Sequence, residues 1–235
     1  MIPLRDDNPT ELRPVVTVIM ITVCTLVFVW ETGLPAEEQE RIFYGLGMVP
    51  GTLLGGAPLP PGTHLVPAPL TLVTSMFLHG GWLHLIGNML YLWIFGNNVE
   101  DAMGHWRFLL FYLLTGVLAA LAQALADPDS TLPMIGASGA ISGVLGAYLV
   151  LYPQARVLVA IPIGFFIHTM RVPAWAMIMF WFFWQVFGSL MVASTQGDGG
   201  GVAFLAHLGG FFAGMLLVFR FRRPGVGILN PPSRS

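Results

Sequence analysis

Ser138 and His207 sit inside two separate apolar segments of this chain. Ser138 lies in Gly136-Ala137-Ser138-Gly139, at the start of a run of small residues, and His207 in Ala206-His207-Leu208-Gly209-Gly210. An ionisable side chain is costly at membrane depth, so its presence there is first read as function. A serine hydroxyl needs a neighbouring base to become a nucleophile at neutral pH, and histidine is the usual one. A third apolar segment supplies His84 and Asn88, four residues apart and so on one helix face. Together these residues point to peptide-bond chemistry inside a bilayer.

Each feature alone has a plainer reading. A serine among small residues packs helices, a buried histidine bonds a neighbouring helix, and His84 and Asn88 make interhelical contacts of about 0.6 kcal/mol each. The coincidence of three such segments is what favours chemistry.

The segments that must position these groups follow from composition. Hydrophobic residues make up 55% of the 235 residues and charged residues 9%, against about 25% charged in soluble domains. A spanning helix needs about 20 apolar residues. Six segments are expected, at about Val15–Leu34, Leu72–Asn97, Trp106–Ala126, Ser138–Tyr152, Pro173–Ala193 and Val202–Arg220. The fourth is short, so the loop before it must dip to a depth where protein or water surrounds it. The Gly- and Pro-rich connection 35–71 is too long for a simple turn. The stretch 157–167, broken by Pro162 and Gly164, is expected as an interfacial or extended connection. The expected fold is thus an all-α membrane protein, a compact six-helix bundle over residues 15–223, with cytoplasmic segments 1–14 and 224–235.

Cys24 is the only cysteine, so no disulfide forms within the chain. The first residues have neither the pattern of a signal peptide nor that of a mitochondrial presequence. There is no lysine, and in the six-segment arrangement every arginine except Arg41 falls on one side. The positive-inside rule then makes both termini cytoplasmic and brings Ser138 and His207 to the same external half. This arrangement suits a prokaryotic plasma membrane. Gly139-x-x-x-Gly143 and Gly210-x-x-x-Gly214 are faces on which helices approach closely.

The chain resembles the rhomboid family of intramembrane serine proteases. The resemblance rests on His79-Gly80-Gly81-Trp82-Leu83-His84-Leu85-Ile86-Gly87-Asn88, on Gly136-Ala137-Ser138-Gly139, on Ala206-His207-Leu208-Gly209-Gly210, and on Gly96-x-x-x-Glu100-x-x-x-Gly104. It runs from about Val15 to Arg223. It implies Ser138 as nucleophile and His207 as base, a dyad rather than a triad. It further implies an oxyanion site at the Ser138 backbone N–H with His84 and Asn88, beside Gly136 and Ala137. No cofactor or metal and no nucleic acid is expected; the implied partners are transmembrane protein substrates in a lipid bilayer. His79 and Glu100 are expected to brace loops, and the aromatic fifth segment to border a lateral substrate entrance.

Three positions depart from the family pattern. Leu70-Thr71 stands where many members have Trp-Arg, so that loop must be anchored differently. Ser142 stands where an aromatic residue often underlies the catalytic histidine, so a hydroxyl hydrogen bond is one substitute. Gly87 widens the side of the site. A non-catalytic scaffold that binds transmembrane partners is the alternative reading, although such relatives typically lack the serine or histidine. A transporter would show a path of inward-facing charges or inverted repeats, and the sequence displays neither.

Overall fold

The computed structural model describes residues 1–195 and 204–230. Arg234 and the expected start of the sixth segment at Val202 lie outside them. The long helices are α1 (Val15–Thr32), α5 (Trp82–Met103), α6 (His105–Ala126), α7 (Ser138–Leu151), α8 (Ala174–Thr195) and α9 (Phe204–Phe221). Five of them match their apolar segments to within two residues at each end, whereas α5 starts ten residues after Leu72 and ends six after Asn97. By length and composition α1, α6 and α9 can cross a membrane, and α5 joins them if it is counted with the helix that precedes it.

That preceding helix is a correction to the second segment, expected as one element from Leu72. Helix α4 (Ala68–Thr74) and a 3₁₀ turn (Ser75–Phe77) meet α5 at 83°. The break falls at Leu78-His79-Gly80-Gly81, where two glycines weaken helical continuity. His79 braces the corner: its backbone N–H donates to Glu31 Oε2 and its Nδ1 lies 3.3 Å from the Phe77 carbonyl oxygen.

The motif Gly96-x-x-x-Glu100-x-x-x-Gly104 explains itself in this frame. A Cβ on Gly96 would lie 3.2 Å from Thr17, so glycine lets α1 approach α5. One turn later the buried Glu100 carboxylate accepts bonds from Val16 N, Thr17 N and Thr17 Oγ1, at 2.8, 2.8 and 2.7 Å. It therefore caps the exposed amides at the start of α1, where a negative charge also complements the helix dipole. Glu100 was expected to brace a loop; its partners are a helix end and His105 Nδ1, 2.6 Å away. Gly104, at φ +80°, then turns the chain into α6. Glu100→Ala leaves several buried donors without an acceptor and is expected to destabilise the fold by roughly 3 kcal/mol or more. Thermal unfolding in detergent measures this.

The all-α expectation needs a second correction. Residues Ile2–Asp6 (β1), Arg156–Ile163 (β2) and Phe166–Pro173 (β3) form an antiparallel sheet in the order β1-β2-β3. In β2, Val157 and Val159 are buried with apolar alternation of period two, which suits a strand packed on one face. The stretch 157–167 is thus an extended connection, with Gly164 at φ +59° in the hairpin turn. Residues 1–14 are correspondingly not a free tail. Asp6 accepts a bond from the Tyr148 hydroxyl at 2.6 Å, tying β1 to the end of α7 remote from Ser138.

Burial raises the Asp6 pKa from 3.8 to about 6, against the opposing pull of the Tyr148 bond. The folded chain therefore binds more protons here than the unfolded chain, and stability falls as pH rises from about 4 to about 6. Asp6→Asn keeps an acceptor for Tyr148 and is expected to flatten that slope. Melting temperatures at about pH 4 and pH 7 should then differ less than in the wild type.

The 35–71 connection is folded rather than loose, with α2 (Ala36–Leu46), α3 (Pro50–Gly55) and α4. Its anchor, in place of a Trp-Arg pair, is backbone pairing. Met48 and Met134 exchange two N–H···O bonds of 3.0 and 2.8 Å, and Gly51 N donates to Ser130 O. These bonds fix the connection to the strand-like segment that leads into Ser138.

Candidate active site

Helix α7 begins at Ser138, and no side chain caps it. Its first amides therefore point from the helix end without intrahelical acceptors, and the Ile141 N–H is the first to bond back, to Ala137 O. Ser138 is half-buried and lines a cavity of about 830 Å³ that is also lined by His84, Asn88 and His207.

Helix α9 runs against α7 along glycines. A Cβ on Gly210 or Gly214 would collide with the carbonyl oxygens of Gly139 and Gly143, and one on Gly146 with that of Phe211. This backbone-to-backbone approach, the geometry of small-x-x-x-small faces, carries His207 to Ser138. His207 Nε2 lies 2.8 Å from Ser138 Oγ, and the imidazole is 6% exposed. Hydrogen-bond distance between a hydroxyl and an imidazole nitrogen, shielded from solvent, is the arrangement in which the base can take the hydroxyl proton.

The His84 ring and the Asn88 amide line the same cavity and lie against Gly136. A Cβ on Gly136, whose φ is +121°, would lie 2.7 Å from His84 Nε2 and 3.7 Å from Asn88 Nδ2. Gly136 is therefore required for its backbone conformation and for room. Its own N–H is engaged by the Ser75 carbonyl at 2.8 Å. Ala137 is fully buried behind the nucleophile. Asn88 Nδ2 is buried and has no hydrogen-bond acceptor among the described residues. A buried donor without a partner is uncommon and fits a site awaiting an acceptor. A Cβ on Gly87 would touch nothing within 4 Å, which leaves that flank open.

Ser142 does not orient the imidazole. Its hydroxyl donates to the Ser138 carbonyl at 2.6 Å, one turn back along α7. Two side chains of α8 meet His207 instead. Gln185 Oε1 lies 2.7 Å from His207 Nδ1, and the Trp181 ring packs 5.9 Å from the imidazole centroid. Neither was singled out from the sequence for this place. Trp181 belongs to the aromatic fifth segment, expected to border a lateral entrance, yet Ala174, Ile178, Trp181 and Gln185 repeat with the helical period and Gln185 is the one polar member.

With this geometry in view, the comparisons with known proteins decide the family. A family model described as Rhomboid domain matches residues 68–224, more than half of the chain. The chain belongs to the rhomboid family. Rhomboid protein 1, mitochondrial, of Saccharomyces cerevisiae is 30% identical over 155 residues, covering 64% of this chain and 41% of that protein. Rhomboid-like protease 5 of Toxoplasma gondii is 37% identical over 153 residues, 63% of this chain and 16% of that one. Rhomboid protease GluP of Bacillus subtilis is 46% identical over 78 residues, 33% of this chain and 15% of its own length. The chain thus matches less than half the length of each of these relatives. As a rhomboid it is a membrane-embedded, multi-pass protein, and the match begins at α4 rather than at α1.

Proposed function

We propose that this rhomboid is an intramembrane serine endopeptidase that hydrolyses peptide bonds in or near transmembrane segments of other membrane proteins. The observation that carries the reading is the 2.8 Å approach of His207 Nε2 to Ser138 Oγ at a cavity wall. Ser138 Oγ attacks the scissile carbonyl carbon as His207 takes its proton. The tetrahedral oxyanion is held by the Ser138 N–H, His84 and Asn88. His207 then returns the proton to the amine, which leaves, and Ser138 remains acylated. A water, deprotonated by the same imidazole, attacks the acyl carbon; the bond to Ser138 Oγ breaks as Oγ takes the proton from His207, and the acid product leaves and ionises.

In the proposed topology all six long helices cross the bilayer, both termini are cytoplasmic and the site faces the outer half of a plasma membrane. Helix-breaking residues in a substrate favour cleavage, because an extended backbone must reach Ser138. Asn88→Ala removes one oxyanion donor and is expected to lower the turnover rate by about 10²–10³-fold.

Co-reconstitution with a single-span membrane protein in liposomes tests the reading. Fragments from the wild type and none from Ser138→Ala support the protease. Retention of the intact substrate by both proteins, with no fragments from either, would favour a scaffold that binds transmembrane partners.

A further inference from the structure

We infer that Gln185 is the positioning residue of His207, an α8 amide that holds the imidazole in the one tautomer able to accept the Ser138 proton. The inference rests on the Ser138–His207 reading above.

A neutral imidazole carries one N–H and one lone pair. For Nε2 to accept from Ser138 Oγ, the ring hydrogen must sit on Nδ1, and Nδ1 then needs an acceptor. Gln185 Oε1 is that acceptor, 2.7 Å away and on a side chain only 7% exposed. In a serine protease triad a buried carboxylate does this work, and the wrong tautomer costs about 10⁴-fold. A carboxylate at this depth carries a heavy desolvation penalty, whereas an amide oxygen supplies the same directional acceptor without charge. The trade is definite: an amide fixes orientation and tautomer, but stabilises the transient imidazolium less than a carboxylate does.

The backbone supports the assignment. Gln185 and Trp181 are four residues apart on α8, so they present one face to α9. Trp181 packs against the His207 ring and Gln185 receives its edge, so the imidazole is held in position and in rotation. On the outward side Phe180, Phe183 and Trp184 are exposed, which leaves Gln185 as the polar group of the inward stripe.

Two variants and one spectrum test this in the full-length protein in detergent. Gln185→Met is near in size but offers no amide oxygen; Gln185→Glu keeps an acceptor. The probe is a fluorophosphonate, and the readout is the rate of Ser138 labelling. Gln185→Met is expected to slow labelling by about 10–10²-fold, and Gln185→Glu to restore most of that loss. In protein carrying ¹⁵N-histidine, the His207 resonances, assigned by difference against His207→Ala, are expected to report the Nδ1–H tautomer in the wild type and a mixture in Gln185→Met. A packing role alone leaves that tautomer ratio unmoved. Wild-type labelling in Gln185→Met alongside none in His207→Ala would overturn the inference and leave the dyad standing. Should Gln185→Met not fold, an Nε2–H tautomer in the wild type overturns it equally. Failure of folded wild type to label at Ser138 removes the dyad reading, and this inference with it.

Discussion

His207→Ala is expected to slow acylation of Ser138 by at least about 10³-fold while leaving the melting temperature within a few degrees of the wild type. Without the imidazole, the hydroxyl keeps its proton through most of the attack, because no other base lies against Ser138 Oγ among the described residues. Ser138→Ala is expected to lose the reaction to the same extent, and the double variant to be no worse than either single one. That non-additivity is the mark of two groups acting as one unit. Rates of fragment release from a reconstituted substrate measure all three. Losses that multiplied in the double variant would mean that the two residues act separately, and the dyad would fail.

The second large effect is expected at a residue that takes no part in the chemistry. Gly214→Val places side-chain atoms where the Gly143 carbonyl oxygen of α7 now lies. Backbone on both sides cannot rotate away as a flexible side chain could, so α9 must move off α7. Overpacking of this kind typically costs 1–3 kcal/mol or more. Activity is expected to fall further than stability, because Ser138 and His207 are on the two helices being separated. A displacement of about 1 Å is enough to lower a rate about 10²-fold. Gly55→Val, at a position where an added Cβ meets nothing within 4 Å, serves as control and should leave the labelling rate unchanged. Parallel melts and labelling rates separate the two effects; a Gly214→Val protein as active as the wild type would show that the close approach does not set the site geometry.

The six long helices were legible because a bilayer demands long apolar runs, and such runs have few other readings. Apart from α5 their ends were close: α7 begins at Ser138 as expected and stops one residue short of Tyr152. The bend before α5 was not legible, since Leu72 to Phe77 continues the apolar pattern and only Gly80-Gly81 hints at a corner. The sheet was half legible. Pro162 and Gly164 left 157–167 as an interfacial or extended connection, and the structure makes it extended; its pairing with Ile2–Asp6 is a contact across most of the chain, and local pattern cannot announce that.

The candidate site divides in the same way. Ser138, His207, His84 and Asn88 stand out because polar groups are conspicuous in apolar segments, and the fold brings all four to one cavity. Gln185 stood in plain view, the lone polar side chain in a run of aromatics. Its relevance depended on which face of α8 turns inward, which the nearly uniform hydrophobicity of that helix conceals. The role of Ser142 was open for a related reason. A hydroxyl one turn from a helix start has a local carbonyl within reach, and that bond outcompetes a longer one to His207.

The most direct measurement is reaction of the purified, folded wild type with a fluorophosphonate, followed by peptide mapping of the adduct. The Ser138–His207 dyad requires a single adduct on Ser138, absent from Ser138→Ala and His207→Ala. An adduct that persists in Ser138→Ala, or a folded wild type that small and large fluorophosphonates both fail to label, would contradict it.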